Sequence, residues 1–538
     1  MLNVGWLVLA LHGPIAILCF FRTLHYNPTM RHDQSTLPLI EALDAYVKMG
    51  KSPFHIPGHK YGRGLPDYFR DRIGMDALAR DLASLVGPEI DSLHDASGCI
   101  ARAQELIADA FDATRSLMLV NGPDIGLQMA IMAACDPDDE IILSRNVHFS
   151  AVSGVVMSGV WPVFTPARFD VESGSLENMT LLDLRLAIKK HPQARAVLIM
   201  SPSRHGFAPD LDEMVEEAHN AGLTIIVDER FGAHFRFHKK LPISGIEAGA
   251  DFVIQDWHQC LGALEQGAVL HFRGDASERW GRVQNVFQTL TTTSPSYLIM
   301  ASLDLARHYA VMHGSEALDH CIGLAREIAG SIDRLPGLNV LGYEMLRRAD
   351  VDNIDCTRLT ITVAESGLTG YRFAQLLEEE HDVVVDGAEE TNLILSTGFQ
   401  LSEEAAYKLI DALERVVGDY GRKAPLYVDV RRPKPVFGNN LVLAPRAAFF
   451  APRRYVKIGE SVGFVCAEPI NHHTTGLPLM YPGEEITSEM VDFIISEGAR
   501  DATEFSSNDF SLQQVSVVDE RKMILHRSFF RGAAAWNG

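Results

Sequence analysis

Between about residues 97 and 307, short apolar runs alternate with segments that carry helix signals, and this alternation constrains the fold more than any other feature. Asp210–Ala221 predicts a helix, because Asp210 can cap its first turn and Gly222 follows its last residue. Strands that alternate with helices imply an α/β fold with a mostly parallel sheet. The runs that predict buried strands are Ser116–Val120, Glu140–Ser144, Ala194–Met200, Thr224–Val227 and Ala250–Ile254, and a second helix is predicted at Ile125–Cys135.

Polar residues follow five of these predicted strands directly. They are Asn121, Arg145, Ser201, Asp228 and Asp256. Ligands of open parallel sheets bind beyond the carboxyl ends of the strands. We therefore expect these five side chains to converge on one cleft.

The charge balance and the cysteine pattern exclude several classes of function. The chain has 538 residues, and its 48 basic and 70 acidic residues give a net charge of −22. Nothing resembles a basic stripe, so a nucleic-acid partner is not expected. The seven cysteines are scattered and show no C-x-x-C spacing, which indicates a reducing cytoplasm and no metal site.

The first residues form an uncharged segment. Residues 2–21 contain no Asp, Glu, Lys or Arg, and twenty such residues are long enough to span a bilayer. However, Gly13 and Pro14 interrupt the segment, and no basic region precedes it. A second methionine, Met30, follows, and we therefore expect residues 1–35 to be a hydrophobic leader or a start-site extension, with a membrane anchor as the alternative.

The remaining sequence divides into further segments. Residues 36–96 predict an N-terminal arm, 97–322 a large α/β domain and 323–421 a small α+β domain. The small domain has predicted strands at Arg358–Val363 and Asn392–Ser396 and predicted helices at Gly370–Glu380 and Glu403–Val417. Residues 422–440 are rich in Arg, Lys and Pro and predict a linker. Residues 441–500 predict a third domain, and residues 501–538 form a tail without a clear signal.

Seven short motifs follow one another between residues 36 and 496. They are P-G-H-K (Pro57–Lys60), R-N-x-H-x-S (Arg145–Ser150), V-D-E-x-x-G-A-H (Val227–His234), L-P (Leu241-Pro242), G-A-D (Gly249–Asp251), T-T-S-P-S-Y-x-x-M-A-S-L-D-x-A-R (Thr292–Arg307) and G-L-P-L-x-x-P-G-E (Gly476–Glu484). In this order they resemble the shorter bacterial Orn/Lys/Arg decarboxylases. The resemblance implies an aspartate-aminotransferase-like large domain, a small α+β domain and a C-terminal decarboxylase-type domain.

The resemblance also implies a cofactor, pyridoxal phosphate, which such enzymes use as an electron sink. By position, Asp228 matches the partner of the ring nitrogen, His148 the stacking histidine and His258 the histidine before the Schiff-base lysine. The full set of implied catalytic or cofactor-binding positions is Asn121, Gly122, Pro123, Asp124, His148, Ser201, Asp228, Phe231, Asp256, His258, Gln259, Ser294 and Ser296.

Several of these positions differ from the family pattern, and each difference is expected to weaken cofactor binding. The family lysine of S-x-H-K is Gln259, and an amide cannot form an imine. In the phosphate cup, Pro123 removes an N–H donor, while Asp124 can turn a carboxylate toward the amides of its own helix. The family serine of S-x-H-K is Asp256, and the histidine of D-E-A-H is Phe231. Two carboxylates facing a phosphate are unfavourable, so we expect cofactor binding to be lost or weak.

The alanine of D-E-A-H is also replaced, by Arg230. An acid and a base that appear together at cofactor-facing positions suggest an internal ion pair. We expect Arg230 to pair with Asp256 or with Asp124 and to fill the phosphate space. Lys60 lies in a motif that active relatives keep beside their own lysine, so we expect a structural role for it.

These features favour a catalytically silent member of the family that acts as a regulatory or assembly subunit. The alternatives are an active decarboxylase of a basic amino acid with unorthodox cofactor anchoring, and a binding protein for an unknown small molecule. The resemblance implies a homodimer or larger assembly, because the loop Thr292–Tyr297 of one chain is thought to reach the cofactor of another. That loop is intact here, which also suggests a heteromer with an active paralogue.

Overall fold

The computed structural model describes residues 31–83, 90–166, 168–170, 173–274, 277–399, 401–421, 440–472, 478–498, 505–509 and 511–522. The uncharged segment 2–21, the linker residues 422–439 and the motif residues 476 and 477 lie outside this part of the chain. Within the described ranges, every helix is too short or too polar to cross a bilayer.

A seven-stranded sheet organises the region between residues 115 and 272. Its strands in chain order are β1 (Arg115–Leu119), β2 (Glu140–Ser144), β3 (Trp161–Thr165), β4 (Ala196–Met200), β5 (Thr224–Asp228), β6 (Phe252–Asp256) and β7 (Ala268–Phe272). Their order across the sheet is β1-β7-β6-β5-β4-β2-β3. Strands β2 to β6 pair in parallel, whereas β7 is antiparallel to both of its neighbours. The predicted mostly parallel α/β sheet is therefore confirmed.

Apolar side chains leave both faces of the central strands. On one face Ile226 packs into a core with Leu198 and Ile254. On the other face Ile225 and Val227 enter a second core. Because neighbouring residues of a strand point to opposite faces, a continuous apolar run is needed to fill both cores. This explains why the sequence shows these strands as unbroken hydrophobic runs.

Helices cover the two faces of this sheet. The predicted helix near Asp210 is present, and the Asp210 side chain accepts a hydrogen bond from the backbone N–H of Glu213 at 3.2 Å. The helices in and around the large sheet are Pro38–Lys48, Asp67–Ile73, Met75–Arg80, Cys99–Phe111, Pro123–Ala134, Phe149–Ser158, Leu181–Lys190, Leu211–Asn220, Gly245–Ala248, Trp257–Cys260, Ser277–Leu290 and Tyr297–Ile332.

A smaller antiparallel sheet follows the long helix Tyr297–Ile332. Its strands, in spatial order, are Asn339–Val340, Arg358–Thr362, Asn392–Ser396 and Gly387–Ala388. Helices Gly370–His381 and Glu403–Tyr420 pack on it, together with the end of the long helix. This arrangement matches the predicted α+β pattern of the region.

Paired strands continue beyond residue 500. Strand Gln514–Val518 pairs with Arg453–Lys457, although the sequence carries no clear signal there. Strand Ile470–His472 lies between Pro478–Met480 and Phe505–Ser506, and the helices of this region are Pro445–Phe449 and Ser488–Gly498.

The side chain of Arg145 joins the large sheet to this C-terminal region. Its Nη2 lies 2.7 Å from Oε2 of Glu484, and both side chains are fully buried. The guanidinium also lies 4.6 Å from the ring centroids of both Phe164 and Tyr481. The expectation that Arg145 would line the cleft is therefore wrong, because its side chain turns away from the strand ends to satisfy a buried carboxylate.

Candidate functional site

The carboxylate of Asp228 at the end of β5 is held by Arg230, two residues further along the chain. Nε of Arg230 lies 3.0 and 3.1 Å from the two carboxylate oxygens, and Nη2 lies 2.9 Å from Oδ2. The side chains are only 4% and 3% exposed. Both oxygens of this carboxylate are therefore bound by the guanidinium. This is the carboxylate that the sequence predicts as the partner of the cofactor's ring nitrogen.

Arg230 has further partners on the cleft side. Its Nη1 lies 3.4 Å from Oδ1 of Asp124, and its Nη2 donates to the hydroxyl of Ser150 at 3.1 Å. Burial disfavours the guanidinium charge, but Asp228 and then Asp124 outweigh burial and raise the pKa of Arg230. The expected pair with Asp124 is present, whereas the main partner, Asp228, was not anticipated.

The helix Pro123–Ala134 begins at this cleft. Gly122 precedes it with a φ of 80°, and the N–H of Gly122 donates to the carbonyl of Gln266 at 3.0 Å. Pro123 has no N–H, so the first turn has lost two donors that could face an anion. Asp124 is half exposed and bonds Arg230, so the expectation that its carboxylate caps its own helix is wrong. Asn121 accepts from the N–H of Thr292 at 3.4 Å.

His148 directly precedes the neighbouring helix Phe149–Ser158 and caps its N-terminus. Its Nδ1 accepts from the N–H of Ser150 at 3.2 Å and lies 2.9 Å from the Ser150 hydroxyl. Burial and the charge of Arg230 lower the pKa of His148 to about 3. The imidazole is therefore neutral at neutral pH, and a hydrogen-bonded chain runs from Arg230 through Ser150 to this ring.

Asp256 at the end of β6 organises the segment where the family lysine would lie. Nδ1 of His258 contacts Oδ1 of Asp256, and Nε2 of Gln259 donates to Oδ2 at 3.1 Å. Burial raises the pKa of Asp256, and this carboxylate in turn raises the pKa of His258 against the effect of burial. Gln259 is exposed, and its amide faces Asp256. Asp256 is thus committed to His258 and Gln259 and not to Arg230, contrary to one of the two expected pairs.

Ser201 and Phe231 have different neighbours. The N–H of Ser201 donates to the carbonyl of Asp228 at 3.1 Å, and its hydroxyl is buried without a hydrogen-bond partner in the described part of the chain. The ring of Phe231 lies 4.3 Å from the guanidinium carbon of Arg358. Ser201 is therefore bound to the end of β5 through its backbone, while Phe231 contacts the small sheet.

Ser294 and Ser296 lie in the loop before the long helix. The N–H of Ser294 donates to Oγ1 of Thr292 at 3.3 Å, and Ser294 is exposed. Ser296 caps the helix and accepts from the N–H of Ile299 at 3.4 Å. Their implied role at the cofactor of another chain stays a prediction.

A buried network on the far side of the strand ends was missed at the sequence level. Glu229 accepts from Nε2 of Gln255 at 2.7 Å and from the N–H of Gly245. Gln255 accepts in turn from Trp257 and His271, each at 2.9 Å. Burial raises the pKa of Glu229 to about 8, so it is mostly a neutral acid at neutral pH. Alternation along β6 is the one sequence signal, since it sends Gln255 to the face opposite Asp256.

The residues of this cleft do not fit pyridoxal phosphate. Asp228 is already paired, Asp124 places a negative charge at the helix start, and Gln259 offers no primary amine. In the described part of the chain, no group of three or more His, Cys, Asp or Glu side chains is arranged to hold a metal ion.

Comparisons with known proteins identify the family. The model for "Orn/Lys/Arg decarboxylase, major domain" matches residues 37–360. An arginine decarboxylase of Bacillus anthracis is 32% identical over 494 residues, which cover 92% of this chain and 99% of that protein. An arginine decarboxylase of Halalkalibacterium halodurans is 34% identical over 495 residues, covering 91% and 99%. The structure of E. coli constitutive lysine decarboxylase has a TM-score of 0.74 at 20% identity, covers 90% of this chain and 82% of that one, and supports the predicted fold. The chain belongs to the Orn/Lys/Arg decarboxylase family.

Proposed function

We propose that this chain is a catalytically silent member of its family that acts as a regulatory or assembly subunit. The observation that carries the proposal is the ion pair between Arg230 and Asp228. The family's cofactor needs a free carboxylate below its ring nitrogen, and here that carboxylate has a permanent cation on it.

Displacing Arg230 would be unfavourable for the folded protein. Moving Arg230 away would leave Asp228 without its cation, at a cost of about 1–3 kcal/mol once water enters the space. Asp124 would then also lose its cation and would face an incoming phosphate at the helix start. The ring nitrogen of the cofactor would therefore have to displace Arg230, and its phosphate would face the carboxylate of Asp124.

Gln259 removes the remaining source of affinity. A lysine would hold the cofactor covalently, whereas the amide of Gln259 donates to Asp256 and cannot form an imine. His258 is engaged by Asp256 and lies 3.6 Å from Glu265, so it is not a free base in this arrangement. The decarboxylation of a basic amino acid through this cleft is therefore the less supported alternative.

The loop Thr292–Tyr297 supports an assembly role. It keeps the family motif T-T-S-P-S-Y while the chain's own cleft has changed, and Ser294 is exposed. In the proposal this loop completes the site of a lysine-bearing relative in a mixed oligomer. A homodimer without catalytic partners is the alternative.

Two measurements test the proposal. Titration of the purified chain with pyridoxal phosphate should give no new visible absorption band, and a yellow protein with such a band would refute catalytic silence. Co-expression with a lysine-bearing family member should yield a mixed oligomer whose decarboxylase activity falls when Ser294→Ala and Ser296→Ala are introduced in this chain. Recovery of separate homo-oligomers with unchanged activity would eliminate the mixed assembly. A colourless protein that binds another small molecule in a ligand screen would favour the binding-protein alternative.

A further inference from the structure

Residues 51–75, the docking segment, carry a group of large apolar side chains that lie exposed. Phe54 is 97% exposed, more than any other large apolar side chain in the described part of the chain. Soluble monomers rarely expose large apolar groups together, and such groups mark surfaces that bind another molecule. The exposed apolar residues of the segment are Phe54, Ile56, Tyr68, Phe69, Ile73 and Met75.

The helix Asp67–Ile73 in this segment has little to stabilise it within one chain. It has seven residues, none of them buried, and isolated helices shorter than about 12–15 residues are marginal in water. Most helices in proteins are stabilised by packing an apolar face, but Tyr68, Phe69 and Ile73 are 66%, 42% and 48% exposed. We therefore infer that this face packs on another molecule.

The loop before this helix is held in a fixed conformation. Nζ of Lys60 donates to the carbonyl of His55, and Nε2 of His55 lies 3.0 Å from the hydroxyl of Tyr61. Lys60 and Tyr61 have φ values of 52° and 57°, in the left-handed region that non-glycine residues seldom adopt. A loop that is already ordered loses little conformational freedom on binding, so it presents Phe54 as a preorganised contact.

The docking segment is basic, although the chain as a whole is acidic. Residues 51–75 contain five Lys or Arg and two Asp or Glu, a net charge of +3, whereas the whole chain has a net charge of −22. At physiological salt, charges more than about 8 Å apart are largely screened, so the local charge of the segment decides which surface it can approach. A surface that combines exposed apolar side chains with acidic residues complements it.

A surface of this kind lies on the long helix Tyr297–Ile332. Leu305 and Met312 are seven residues apart and therefore share one face of the helix, and they are 45% and 48% exposed. The N–H of Leu264 donates to Oγ of Ser302, one turn before Leu305, at 2.9 Å, and Leu264 is 52% exposed. We call the exposed side chains of Leu264, Leu305 and Met312 the long-helix surface.

Acidic residues adjoin the long-helix surface. Glu265 directly follows Leu264 and is 83% exposed. Glu316 lies one turn beyond Met312 on the same helix and is also exposed. Complementary charge beside apolar side chains guides two surfaces into one orientation, and here the acids would face the basic docking segment.

We propose that the docking segment binds the long-helix surface of a second copy of this chain. Both surfaces are exposed in one chain, so they do not cover each other there. When each copy gives its docking segment and receives that of its partner, the contact is symmetric and closes a dimer. The segment supplies 25 residues, and a stable interface takes about 20–30 residues from each partner. The proposal uses neither the cleft nor the loop Thr292–Tyr297, so it is independent of catalytic silence.

Photo-crosslinking of the purified full-length chain identifies the molecule that covers Phe54. With p-benzoylphenylalanine incorporated in place of Phe54, irradiation should give a band at twice the mass of the chain on a denaturing gel. Peptide mass spectrometry of that band should find the cross-link within residues 257–316. The same amino acid in place of Phe450, which is 67% exposed in the C-terminal region, should give no such band.

Three results of this experiment would overturn the proposal. Cross-links within a single chain, for example to residues 1–30, would show that the chain covers its own segment. Cross-links between two copies at other peptides would remove the long-helix surface as the binding site. The absence of any protein cross-link would leave a non-protein occupant, such as a lipid surface, as the explanation of the exposed side chains.

A pair of matched variants measures the contribution of the exposed rings. Phe54→Ser combined with Tyr68→Ser should raise the dissociation constant of the dimer at least about tenfold in sedimentation equilibrium. Phe450→Ser combined with Tyr455→Ser changes the same residue types at other exposed positions and should leave it unchanged. Circular dichroism checks that both variants fold. Equal dissociation constants, or an unmodified chain that sediments as a monomer, would contradict the proposal.

Discussion

Two buried arginine–carboxylate pairs sit near the ends of strands in one sheet, and they differ in what surrounds them. Arg145 pairs with Glu484 between two aromatic rings, and neither side chain is exposed. Arg230 pairs with Asp228 at a cleft, where its other partner, Asp124, is half exposed. The first pair joins two regions of the fold, whereas the second occupies a place where a ligand is expected. The same kind of ion pair thus joins two regions of the fold in one place and closes a site in the other.

The largest expected effect follows from breaking the enclosed pair. Arg145→Met should lower the free energy of unfolding by about 3–5 kcal/mol, because Glu484 would be left buried without a cation. The measurement is chemical denaturation. The control is Arg415→Met, since Arg415 and its partner Asp411 are both 61% exposed and the loss of this pair should cost about 1 kcal/mol or less. Similar losses in the two variants would contradict the structural role of Arg145.

A smaller loss is expected at the cleft. Arg230→Ala should lower the free energy of unfolding by about 1–3 kcal/mol, because water can enter the space and solvate Asp228 and Asp124. Arg230→Lys should recover only part of this loss, since an ammonium cannot bind both carboxylate oxygens as a guanidinium does. Denaturation of the three proteins measures the difference. A loss as large as that of Arg145→Met would remove the distinction between the two pairs.

A third buried carboxylate, Glu229, sharpens the comparison because it bonds only neutral groups. Its pKa is raised from 4.5 to about 8, so the folded state holds a proton that the unfolded state releases. This contribution to stability is complete below pH 4.5 and is lost as the pH rises through 8. Unfolding free energies measured from pH 5 to 9 should fall less steeply in Glu229→Gln than in the unmodified chain. Parallel pH profiles would show that Glu229 does not titrate in this range.

The smallest effect concerns the exposed end of the Arg230 cluster. Asp124→Asn should change the free energy of unfolding by less than about 1 kcal/mol, because a half-exposed ion pair is screened by solvent. Thermal denaturation at low and high salt measures this. A large, salt-independent loss would mean that Asp124 contributes to the fold and not only to the closure of the cleft.

The sequence predicts the parallel sheet well, because strands β4 to β6 fill cores on both faces and must be apolar throughout. The sequence predicts less well the direction that a side chain takes at the end of a strand. Arg145 follows one apolar run and Asp228 ends another, yet only Asp228 faces the cleft. The carboxylate of Asp124 meets Arg230, which was one of the two expected pairs, but it does not cap its own helix.

The pairing of Arg230 with Asp228 could not be foreseen from spacing alone. Residues two apart at the end of a strand meet only if the chain turns sharply there, as it does where the N–H of Arg230 donates to Oδ1 of Asp228 at 3.3 Å. The buried acid Glu229 was missed for a similar reason, because its partners Gln255 and Gly245 come from separate segments.

The most direct test of the central claim compares two variants in a titration with pyridoxal phosphate. Gln259→Lys alone restores the amine but leaves Arg230 on Asp228, so it should bind the cofactor weakly and show little visible absorption. Gln259→Lys combined with Arg230→Ala frees the carboxylate and should bind at least about tenfold more tightly, with a clear absorption band. Equal and tight binding by the two variants would contradict the claim that Arg230 closes the site.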